Sequence, residues 1–117
     1  MSNQIVPILL NLLASFLGAV GQWLYKVGAK DLKEMPIWKN LPFIGGMAMF
    51  MLVMVLFMVA FRLGGRISVT FPVYALTFVW GTMIGVLVDK EPFGALQGIG
   101  ICLVFIGVAM VGAFAPR

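Results

Sequence analysis

The stretch Leu41–Phe61, LPFIGGMAMFMLVMVLFMVAF, contains no charged side chain and is closed by Arg62, Gly64, Gly65 and Arg66. At a rise of about 1.5 Å per residue, a helix of this length crosses the ~30 Å hydrocarbon core of a bilayer. In water the same helix would need a cover of protein on every side. The rest of the chain cannot supply one. Of 117 residues 62% are hydrophobic and only 10% charged, and a chain this small has too much surface for its volume to hide so much hydrocarbon. The sequence is that of a membrane protein.

Three further apolar runs flank this one. Ile5–Tyr25 precedes it and ends in Lys26, Gly28 and Lys30, a helix-stop glycine with cations suited to a helix C-terminus. Ser68–Val88 follows, with Pro72 expected in the first turn, where a missing N–H costs little. Phe93–Phe114 comes last, behind Glu91 and Pro92, a carboxylate and a proline that both favour a helix start. Spans are therefore expected at about 5–25, 41–61, 68–88 and 93–114. The fold class is all-α, one domain over 1–117 with four antiparallel transmembrane helices. No small-x-small cleavage site closes the first run, so it reads as a retained span. The one long connection, Lys26–Asn40, has Pro36 and Pro42 as breakers and reads as an interfacial segment anchored by Trp38.

The net charge of +4 comes from eight basic and four acidic residues, placed mostly where the apolar runs stop. Arg62, Arg66 and Arg117 fall on the side of the termini, and Lys26, Lys30, Lys33, Lys39 and Lys90 on the other. The positive-inside rule favours the second side as cytoplasmic by a small margin. Flanking charge of this kind makes no nucleic-acid patch. Histidine is absent and Cys102 is the single cysteine. A disulfide within the chain, a zinc site and a histidine-based catalytic pair are excluded, so neither an enzyme nor a metal or other cofactor is expected.

Polar residues inside the spans need a reason to be there. Asn11, Ser15, Gly18, Gln22 and Lys26 share one helical face, as do Thr70, Tyr74, Thr77, Gly81 and Gly85, with Trp80 beside them. Each stripe fits either hydrogen bonding between helices or the lining of a wet path. Met47, Met51, Met54 and Met58 form a third stripe, suited to packing, to lipid contact or to a groove for lipid tails. Gly94 with Gly98, and Gly100 with Gly107, make a smooth strip on the last span, open to packing within the bundle or to dimerisation. No span holds an acidic residue in its interior, where proton-coupled export of cations would need one. Cations at the span ends, Lys26, Arg62 and Arg66, suit a phosphate headgroup.

The stretches ASFLGAVGQWLYKVGA (Ala14–Ala29), FPVYALTFVWG, DKEP and GIGICLVFIGVAMVG resemble the four-span members of the drug/metabolite transporter superfamily. They look most like the small subunits of the aminoarabinose-phosphoundecaprenol flippase. The resemblance implies a multi-pass protein of the inner (plasma) membrane. It also implies movement of a polyprenyl-phosphate-linked sugar among membrane lipids, as a homodimer or with a second small subunit. Small multidrug exporters share the architecture and the glycine pair matched by Gly100 and Gly107. Their span-one glutamate corresponds to Gly18 here, which counts against proton-driven drug export. On the flippase reading Asn11 and Gln22 line the path, Lys26, Arg62 and Arg66 meet the phosphate, and Tyr74 and Trp80 stack on the sugar. The alternatives are a small exporter of polar or cationic compounds and a non-transporting assembly subunit.

Overall fold

The computed structural model describes residues 4–116; Arg117, counted above among the cations beside the termini, lies outside them. The elements are α1 (Ile5–Ala29), a 3-10 turn (Ile37–Lys39), α2 (Leu41–Arg62), α3 (Ile67–Tyr74), α4 (Thr77–Leu87) and α5 (Ala95–Ala113). α3 and α4 together make one crossing, Ile67–Leu87, so four segments are long and apolar enough to cross a membrane. The expected all-α fold with four crossings is present, and the chain is a multi-pass membrane protein.

Three boundaries differ from the sequence expectation, each for a local reason. α1 continues a turn beyond Tyr25 because Gly28 does not stop it. Gly28 is buried instead against α2, where a Cβ would lie 2.7 Å from the Phe43 backbone nitrogen. The third crossing is broken. Pro72 is the sixth residue of α3, past the first turn, and has no N–H to give to the Ser68 carbonyl. Shortly after it the ladder tightens, with Leu76 N–H donating to Val73 O at 3.1 Å and Phe78 N–H to Ala75 O at 2.9 Å. These shorter-reach bonds separate α3 from α4. Finally, α5 starts at Ala95, after Glu91 and Pro92 have passed. Gln97 reaches back so that its Oε1 accepts from the Gly94 N–H at 2.8 Å, one half of a capping box.

The helices stand in a row rather than around a common axis. α2 packs on α1, α1 on α3 and α4, and these on α5, within Cα extents of 52 × 37 × 15 Å. The α1–α2 seam is the closest approach. Gly21 and Gly46 face each other there, and a Cβ on Gly46 would lie 2.9 Å from the Gly21 carbonyl oxygen. Asn40 closes the seam. Its Oδ1 accepts from Phe43 N–H at 3.3 Å as the α2 N-cap, and its Nδ2 donates to Gly28 O at 2.8 Å. At its other end α2 finishes in a Schellman pair, Gly65 N–H to Ala60 O at 2.8 Å and Gly64 N–H to Phe61 O at 3.1 Å. Gly64 adopts φ +91°, which a side chain would resist.

The apolar core is small: Val69, Val73, Leu76 and Val108, with Ile8 and Leu12 packed against it. Most large apolar side chains, among them Met54, Phe78 and Leu96, are exposed. That surface is stable only where the surrounding solvent is lipid.

Candidate functional site

A groove of about 920 Å³ opens between α1, the third crossing and α5. Its polar lining comes from every wall: Gln22 of α1, Tyr74, Thr77 and Thr82 of the third crossing, Glu91 of the following loop, and Gln97 of α5. Gly81 and Gly100 give it width, since a Cβ on either would meet nothing within 4 Å. The groups differ in how free they are. Thr82 Oγ1 donates to its own helix at Phe78 O, 2.7 Å away, and Gln97 is engaged at the α5 cap. Gln22, Tyr74 and Thr77 make no side-chain hydrogen bond among the described residues. Their amide and hydroxyls are available to a guest.

Tyr74 is held in place by its ring. It packs edge-on against Phe57 with centroids 5.1 Å apart, and its hydroxyl lies over Gly18 so closely that any side chain there would collide with it. Gly18 is thus covered by a tyrosine.

One end of the groove, beside the last turns of α1 and α4, carries a charge cluster. Lys26 Nζ lies 2.8 Å from Asp89 Oδ2 and 2.5 Å from Glu91 Oε2. The Trp23 indole N–H donates to the other Asp89 oxygen at 3.2 Å. The hydrogen bond from Lys26, then that from Trp23, holds the Asp89 carboxyl below the usual carboxylate range. Gly85 lets Glu91 approach, because a Cβ there would strike the carboxylate. Lys90 reaches this turn at φ 54°, a backbone state uncommon for a residue with a side chain. Glu91 was expected to favour a helix N-terminus, but it turns to Lys26 instead.

The residues singled out in the sequence therefore separate into groups. Gln22 and Tyr74 come together in the groove. Asn11 does not join them: it is fully buried, and its Nδ2 donates to Pro7 O at 3.0 Å while Oδ1 has no partner. Trp80 turns toward α1, donating from Nε1 to Ser15 Oγ at 3.1 Å and meeting Phe16 edge-on at 5.4 Å, so its ring is not offered to the groove. Lys26 is already paired with two carboxylates. Arg62 and Arg66 lie at the opposite face of the helix row from Lys26, where α2 ends and α3 begins. Arg66 Nη2 donates to Pro116 O, and its backbone N–H donates to Gln4 Oε1 at 3.0 Å. Among the described residues Gly94, Gly98 and Gly107 find no other helix to pack on, and Gly100 faces the groove.

No family model, curated protein or solved structure matches the chain.

Several contributors escaped the sequence reading. Gln4 staples the α2–α3 turn, donating from Nε2 to Gly64 O at 3.0 Å while accepting from Arg66 N–H. Trp23 and Asp89 lie 66 positions apart, and nothing in the local pattern pairs them. Gln97 was legible in principle, since a glutamine three residues after a glycine at a helix start is a capping signal.

Proposed function

We propose that the chain is a subunit of an inner-membrane transporter that moves a polyprenyl-phosphate-linked sugar, with the groove between α1, the third crossing and α5 receiving the sugar. The observation that carries this reading is a lipid-level groove whose free neutral polar groups are an amide and two hydroxyls, those of Gln22, Tyr74 and Thr77. Neutral donors and acceptors of this kind suit hydroxyls. The tail stays in lipid, so the protein has only to replace water around the head. Lys26 is neutralised by Asp89 and Glu91, and the carrier phosphate finds its contacts outside the groove at headgroup level. A row of helices cannot enclose such a path alone. A second chain, identical or related, completes it along the open side of α5, where only 6% of the most apolar stretch is buried.

A second reading rests on Glu91, the single charged residue lining the groove. A carboxylate there favours a cationic solute, as in export of small organic cations. Reconstituted vesicles separate the two. Transbilayer movement of a polyprenyl-phosphate sugar, reduced at least several-fold in Gln22→Ala, is the expected result. Uptake of free organic cations driven by a pH gradient, with no lipid movement, overturns the first reading in favour of the second.

A further inference from the structure

At the opposite face of the helix row from the charge cluster, the last turns of α2 and the start of α3 enclose a second groove of about 710 Å³. Its walls are Met54, Phe57, Met58, Phe61, Ile67 and Phe71, and Arg62 is the one charged residue lining it. Phe57 anchors an aromatic floor, with ring centroids 5.9 Å from Phe61 and 6.2 Å from Phe71. Met54, Met58, Ile67 and Phe71 are each more than half exposed, so the groove opens outward, onto lipid. Its chemistry is that of a trough for a flexible hydrocarbon chain, and two of the four striped methionines line it.

Arg62 gives the trough a polarity. It closes α2, at the depth where an apolar span gives way to headgroups. Among the described residues its guanidinium has no hydrogen bond and no carboxylate partner. Its neighbour Arg66 differs, because Gln4 and Pro116 hold it. An unpaired guanidinium at the end of an apolar trough matches a phosphate joined to an acyl chain, and the fork of N–H groups suits phosphate oxygens.

We propose that this trough is a binding site for an anionic phospholipid of the surrounding bilayer, one acyl chain lying along Met54, Met58 and Phe71 and the phosphate on Arg62. The site is separate from the groove beside Gln22, at the other membrane face, and does not depend on what that groove carries. A lipid held here braces the α2–α3 turn from the lipid side, opposite in kind to the Gln4 staple.

The test is native mass spectrometry of the purified, delipidated full chain titrated with phosphatidylglycerol or phosphatidylcholine of identical chains. Wild type retains phosphatidylglycerol about five- to tenfold better than phosphatidylcholine, the discrimination expected of one unpaired cation at headgroup depth. Arg62→Gln removes the discrimination, Arg62→Lys keeps part of it, and Met58→Trp, which fills the trough, weakens both lipids. Lys30→Gln, at the far end, changes nothing. Helicity and elution volume, measured on each variant, keep a misfolded protein from being read as a lost site. Equal retention of the two lipids by wild type, or unchanged discrimination in Arg62→Gln, overturns the proposal. So does displacement of phosphatidylglycerol by an equal concentration of inorganic phosphate, which would mark a site for the bare anion.

Discussion

α1 and α5 are both apolar helices carrying two glycines seven residues apart, and they behave in opposite ways. Gly21 and Gly28 of α1 are buried against α2, with backbone and side-chain atoms at 2.7–3.4 Å from where a Cβ would stand. Gly100 and Gly107 of α5 have nothing within 4 Å. Of the most apolar stretch of each helix, 39% is buried in α1 and 6% in α5. Small residues permit close approach without causing it. The approach at α1 is fixed by what surrounds the glycines, chiefly Asn40 reaching from the α2 cap to Gly28. The α1–α2 pair is thus a closed seam, and α5 is a wall held at few points, with the groove between them.

The sharpest way to break this contrast is to add bulk to each helix in turn. Gly28→Leu should lower stability by about 1–3 kcal/mol or prevent folding, since its side chain meets backbone at Phe43. Thermal unfolding in detergent measures it. Asn40→Ala should cost roughly 1–2 kcal/mol, by removing the α2 cap and the bond from Asn40 to the Gly28 carbonyl across the seam, which leaves that carbonyl with the Asp31 N–H at 3.1 Å. Gly107→Leu, by contrast, should leave the stability of the single chain within about 0.5 kcal/mol of wild type. Any effect it has should appear in cross-linking of two chains.

The smallest effect concerns the cluster that ties α1 to the α4–α5 loop. The Asp89 carboxyl is held low by Lys26 and Trp23, so the folded state binds its proton less readily than the unfolded chain does. This contribution is present above the ordinary carboxylate range and is lost as pH falls through the depressed folded value. Because the pair is exposed, the effect is modest. A thermal scan across acid pH should show a shallower decline for Asp89→Asn than for wild type, and identical slopes would remove the ion pair from the account.

The fold was legible because lipid simplifies the problem. Uncharged runs such as Leu41–Phe61 must be helices, and their number and order follow from length alone. Helix ends were less legible. Gly28 and Glu91 each carry a standard end signal, but tertiary partners, Phe43 for one and Lys26 for the other, decide their roles. The site was legible in half. The stripe rule put Gln22 and Tyr74 on inward faces, where they meet. It put Asn11 and Trp80 there too, yet Asn11 bonds back to Pro7 and Trp80 donates to Ser15, choices that depend on which helix lies opposite. Lys26 and Arg62 looked alike as boundary cations. Only the folded chain shows one neutralised and the other free.

If a polar head travels through the groove between α1 and α5, plugging that groove stops it. Gly81 lines the groove and has open space around it, so Gly81→Trp fills the passage without straining the seam. In proteoliposomes carrying a polyprenyl-phosphate sugar, the plugged protein should unfold at the wild-type temperature and translocate the lipid at least tenfold more slowly, about 1.4 kcal/mol of added barrier. Translocation at the wild-type rate by that folded variant would place the path elsewhere.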